Sequence, residues 1–127
     1  MNTRDVIMRI CEMPSEFKKR GDVSMIQLLE ESGYRQLREK VTEFHILPYI
    51  QTHPTVVEAW QCYSEDQRCR SGWFLQDKKV GFINALGQTA SCQTYFNSKL
   101  ACSVYIKHMV NALCTRSSVT QRPRPQR

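Results

Sequence analysis

Up to Tyr63 the apolar residues of this chain recur three and four positions apart. From Trp73 they fall instead into two short runs, Trp73-Phe74-Leu75 and Val80-Gly81-Phe82-Ile83, separated by the polar Gln76 to Lys79. The first spacing gives a helix one apolar face, and the second fits two strands joined by a tight turn. Past Asn97 the helical spacing returns, with Leu100, Val104, Tyr105, Met109, Ala112 and Leu113. The expected fold class is therefore α+β: a mostly helical N-terminal half, a short antiparallel hairpin or small sheet, and a long C-terminal helix lying across it. An isolated two-stranded hairpin is marginal in water, so a further strand from Ala90 to Tyr95 is expected beside it.

Within the helical half, Asn2 or Thr3 is placed to cap a first helix that carries Val6, Ile7, Ile10 and Cys11 and ends near Met13 and Pro14. Pro14 to Asp22 is polar and basic and reads as a linker. Ser24 and Gln27 form an S-x-x-Q capping box for a short helix, and Gly33 sits where that helix would take a left-handed cap. Tyr34, Leu37, Val41 and Phe44 share one helical face and are expected in the core. Pro48 either ends that helix or restarts it, because it lacks the N–H a helix interior requires. Pro54 suits a first turn, and Thr55 with Glu58 makes a T-x-x-E box for a helix through Val56, Val57, Trp60 and Tyr63.

A length of 127 residues suits one domain with one core. The formal net charge of +6 points to a nucleic-acid partner until the charge is located. Arg116, Arg122, Arg124 and Arg127 lie beyond Thr115 in a segment without acids, which leaves fourteen basic against twelve acidic residues before it. The expected organisation is a nearly balanced domain over residues 1–115 and a disordered basic tail over 116–127, whose Ser, Thr, Gln, Pro and Arg bury too little apolar surface to order it. Such a tail reads first as a solubilising end, and any contact it makes with phosphates is expected to be weak and without base selectivity. The N-terminus has no apolar run of signal-peptide kind, and no stretch approaches the roughly 18–20 apolar residues of a membrane span. A cytoplasmic location without membrane contact is expected.

The six cysteines are then expected as reduced thiols, since a chain of this length builds a core without staples. Cys62 and Cys69 are too far apart for the usual zinc pairing, and no metal or other cofactor is expected. Catalysis fares no better. A Cys62 or Cys69 pairing with His53 lacks any Gly-rich oxyanion turn, and the adjacent carboxylates Glu65 and Asp66 read as salt-bridge partners rather than as an acid and a base.

The densest feature is the polar connection between Trp60 and Trp73, with Glu65, Asp66, Arg68 and Arg70 between two large aromatic anchors. Read structurally, it is a charged link from helix to strand. Read functionally, it is a recognition edge, because Trp, Tyr and Arg dominate binding hot spots. The stretch from His53 to Phe82, with Pro54, Trp60, Tyr63-Ser64-Glu65-Asp66, Arg68, Gly72-Trp73-Phe74 and Gly81, resembles small uncharacterised bacterial proteins that carry a Tyr-Ser-Glu-Asp-Lys-Arg motif and a Gly-Trp strand. Gln67 stands here where that motif has Lys. Some proteins of this size and organisation look like immunity proteins of toxin–antitoxin loci. That resemblance implies a non-enzymatic protein-binding module that neutralises a cognate protein partner, with Trp60, Tyr63, Glu65, Asp66, Arg68, Arg70 and Trp73 at or near its contact surface. Two other classes compete with it: a nucleic-acid-associated regulator using Lys18, Lys19, Arg20 and the tail, and a small enzyme using Cys69 or Glu65.

Overall fold

The computed structural model describes residues 2–66 and 71–121, and side chains as far as Thr115. Helix α1 (Thr3–Cys11) starts where the Asn2 side chain accepts the Asp5 N–H at 2.9 Å. Residues Met13–Arg20 form a second helix, α2, rather than the expected linker. Pro14 sits in its first turn, where its missing N–H costs nothing. Lys18, Lys19 and Arg20 crowd its last turn, where they complement the helix dipole, and Gly21 closes it at φ 75°. Polarity concealed this helix, because it buries only its first turn, Met13 and Pro14.

Helix α3 (Met25–Ser32) carries the expected caps: Ser24 Oγ accepts the Gln27 N–H at 3.0 Å, and Gly33 takes φ 79°. The single helix expected from Tyr34 divides into a short α4 (Tyr34–Leu37) and α5 (Glu43–Thr52), with Thr42 capping the latter. This break overturns the core assignment of Phe44, which is 71% exposed, while Tyr34 and Val41 are fully buried. Pro48 lies inside α5 on its exposed side, so the Phe44 carbonyl it deprives of a partner faces outward. Helix α6 (Thr55–Asp66) begins at Thr55 itself, and it continues through Ser64, Glu65 and Asp66, which the sequence placed in the connection.

Strands β1 (Gly72–Gln76), β2 (Lys79–Ile83) and β3 (Thr89–Thr94) form an antiparallel sheet in the order β1-β2-β3. Asp77, at φ 56°, supplies the left-handed residue of the β1–β2 turn. The third strand falls one residue from the expected range. Helix α7 (Ser98–Gln121) opens with the Leu100 N–H donated to Asn97 Oδ1 at 2.8 Å. It packs against α1, α3, α5, α6 and the first two strands, so it is the centre of the molecule rather than a lid across a hairpin. Ala101 to Ile106 are buried without interruption, which removes the one-sided face the sequence suggested. Its backbone runs to Gln121, into the segment expected as tail, and residues 122–127 lie outside those described.

The polar staple between the helical layer and the sheet is Ser64. Its hydroxyl is buried at the end of α6 and accepts the Leu75 N–H of β1 at 2.7 Å. Ser64→Ala is expected to cost on the order of 1–2 kcal/mol, because it orphans a buried backbone donor. Urea unfolding of the two proteins measures this, and equal midpoints would show that the bond carries no stability.

Candidate functional site

The two tryptophans take different positions. Trp60 is fully buried; its indole N–H donates to the Cys11 carbonyl at 3.0 Å, and its ring meets Tyr63 and Tyr105 edge-on at 5.7 and 5.8 Å. It offers no surface to a partner, so its part is to hold α6 against α1 and α7. Tyr63 is half-buried and reaches Phe17 of α2 at 6.2 Å. Trp73 is half-buried on β1, stacked face to face on His108 of α7 at 3.8 Å and edge-on to Phe82 at 5.2 Å. Burial lowers the His108 pKa from its ordinary value, with nearby Glu43 opposing, which favours the neutral ring in that stack.

Glu65 and Asp66 are exposed at the C-terminal end of α6, whose last turn holds no basic residue. Carboxylates there oppose the helix dipole, which costs roughly 0.3–1 kcal/mol each at an exposed site. Arg68, Arg70 and Cys69 lie outside the described residues. Of the expected contact residues, the structure therefore leaves Tyr63, Glu65, Asp66 and part of Trp73 accessible on the α6 and β1 side.

The catalytic and basic alternatives meet specific geometry. His53 stacks on Tyr49 at 4.0 Å, and its Nδ1 donates to the Tyr49 carbonyl at 3.0 Å, since a carbonyl only accepts. Cys62 lies roughly 10 Å further along α6 at 1.5 Å per residue, so the two are not brought together. Among the described residues no group of three His, Cys, Asp or Glu side chains is placed to hold a metal ion. Arg20 pairs with Glu31 at 2.7 Å, which commits part of the basic cluster to joining α2 and α3. Among the described residues no helix is long and apolar enough to cross a membrane.

The sheet carries the feature that the sequence analysis missed. On the β1 side the edge is covered, since the outward Leu75 N–H is taken by Ser64. On the other side no described residue covers β3, and all of its residues are exposed. The ladder pairs Val80 with Gln93 and Phe82 with Ser91, and the Tyr95 N–H turns inward to the Lys78 carbonyl at 2.8 Å. The alternate residues Cys92 and Thr94 consequently turn their backbone groups outward along the edge. Exposed edges are commonly guarded by Lys, Pro or charge. Here Thr89-Ala-Ser-Cys-Gln-Thr94 has none of these, and its one irregularity is a bulge opposite Phe82 and Ile83. Leu86 and Phe96, 82% and 86% exposed, flank the strand. Behind it, a cleft of about 140 Å³ opens between the sheet and α7, lined by Trp73, Ser91, Gln93, Tyr95 and His108 among others.

The signal for this edge was present in the sequence: no charged residue occurs from Val80 to Ser98, although 24% of the chain is charged. Larger grooves lie among the helices. One, of about 400 Å³, runs between α1 and α5 beside Asp5, His45, Tyr49 and His53. There His45 Nδ1 accepts the Thr42 N–H at 3.2 Å, so both imidazoles serve the ends of α5. No protein-family model, curated protein or solved structure matches the chain.

Proposed function

We propose that the protein is a non-enzymatic protein-binding module whose partner adds a strand to the open edge of β3. One observation carries the reading: an exposed, uncharged strand with outward backbone groups, flanked by two large exposed apolar side chains. Main-chain hydrogen bonds supply affinity in such contacts, and flanking side chains supply selectivity. The sheet is firmly mounted, because Trp73 stacks on α7 and Ser64 ties β1 to α6, so a partner meets a preorganised surface. A neutralising role of the immunity-protein kind needs no more than this, a rigid face that occludes a partner. Glu65, Asp66 and Tyr63 extend the same reading to the α6 side, where two carboxylates sit against the dipole at a cost to stability.

The test is site-specific photo-crosslinking in the native host, with the photoreactive residue placed at Thr94 or, as a control, at Lys18. Discrete protein adducts are expected from Thr94 and none from Lys18. Adducts absent from Thr94, or equal at both positions, would remove the edge as the contact surface.

A further inference from the structure

Resting on that reading, we infer that the strand added to β3 is the β3 of a second copy, so that two sheets join across a two-fold axis into one continuous antiparallel sheet. A two-fold interface must be self-complementary: whatever one copy presents at one end, the other must receive there. Antiparallel pairing of β3 with itself meets this condition at three levels.

The first level is the backbone. Cys92 and Thr94 turn their donors and acceptors outward, and an antiparallel copy offers the same groups in reverse order. The pairing centres near Cys92, so the two Cys92 side chains lie close to the axis and on the same sheet face. The second level is apolar. Leu86 lies before the strand and Phe96 after it, so reversal brings Phe96 of one copy beside Leu86 of the other, twice over. Among the described residues these are the two most exposed of the large apolar side chains, and this contact removes both from water. The third level is charge. Copies with a formal net charge of +6 repel, and like charges directly opposite across strands are destabilising. The uncharged run from Val80 to Ser98 is where two such copies meet without opposing cations. A partner recognised by charge would instead meet the carboxylates at the end of α6.

The experiment uses the full chain, 14.9 kDa, in analytical ultracentrifugation over a range of concentrations. A mass rising toward twice that value is expected. Cys92→Lys places two cations near the axis and is expected to weaken self-association at least ~10-fold. Cys92→Glu alone is expected to weaken it likewise, and an equimolar mixture of Cys92→Lys with Cys92→Glu to restore it, which separates an interface effect from misfolding. In a background of Cys62→Ser and Cys69→Ser, mild oxidation is expected to link two chains through Cys92. A dimer unaffected by Cys92→Lys would place the interface elsewhere and overturn the inference. A chain monomeric at every concentration overturns it as well. In that case, Thr94 adducts to a different protein leave strand addition standing, whereas a Thr94 without adducts removes both.

Discussion

Trp60→Ala is expected to lower the unfolding free energy by about 3–5 kcal/mol, the range for truncating a buried large aromatic. The indole is fully buried between α1 and α7, and its contacts with Tyr63 and Tyr105 are edge-to-face, a geometry that adds to area burial. Its N–H also satisfies the Cys11 carbonyl, which belongs to the last turn of α1 and has no partner within that helix. The truncation therefore creates a cavity and an orphaned acceptor together. Small domains are stable by only about 5–15 kcal/mol, so the variant is expected near the limit of folding. Trp60→Phe separates the two losses: it keeps most of the ring volume and is expected to cost about 1–3 kcal/mol through the lost donor. Chemical denaturation with circular dichroism measures both, and a cost below about 1 kcal/mol for Trp60→Ala would show that the ring is not an anchor.

Gly81→Val is expected to cost at least ~3 kcal/mol, at the upper end of overpacking. Gly81 sits in the middle strand, and a Cβ there would run into the Phe74 ring and come within 2.7 Å of the Ser91 carbonyl oxygen. The ring is a side chain and can turn away. The carbonyl belongs to the backbone of β3, in the ladder next to β2, and it moves only if the two strands part. Phe74→Ala added to Gly81→Val is accordingly expected to recover part of the loss and not all of it. Because the clash falls between β2 and β3, the variant should also lose the mounting of the β3 edge. Thermal melts and amide exchange of β3 read the two effects. A melt within about 1 kcal/mol of the parent would mean that the sheet opens to admit a side chain without strain.

Where the chain punctuates itself locally, its structure could be read in advance. Asn2, the pair Ser24 and Gln27, Gly33 and Asn97 each mark a helix end with a side chain or a backbone conformation of their own, and each stands at or beside such an end. The hairpin followed from the change of apolar period, and its third strand from the need of two strands for company. Helix α2 escaped because its signals, Pro14 in the first turn and Gly21 at the end, lie around a polar middle that buries almost nothing. The stripe from Tyr34 to Phe44 misled because Thr42 caps a new helix between Val41 and Phe44, which turns Phe44 outward. At the site, Trp60 is expected both as an anchor and as a contact residue and is fully buried, while Trp73 is half-buried in its stack on His108. The open strand was overlooked because Thr, Ala, Ser, Cys and Gln carry no conspicuous chemistry, and its one trace in the sequence, the uncharged run from Val80 to Ser98, marks an edge only once its neighbours are known.

By itself, then, the sequence determined the fold class and the succession of helical half, small sheet and long last helix, since caps, prolines and apolar periods act within a few residues of one another. Only the tertiary structure decided which elements are central and which edges are free. α7 looks one-sided in sequence, yet helices and strands gathered on all sides bury it between Ala101 and Ile106. β1 and β3 both look like edge strands, yet Ser64, brought up at the end of α6, closes the outward side of one and leaves that of the other open. The reason is physical: the need to pair a backbone donor is local to each residue, but the group that meets it arrives from wherever the core has folded.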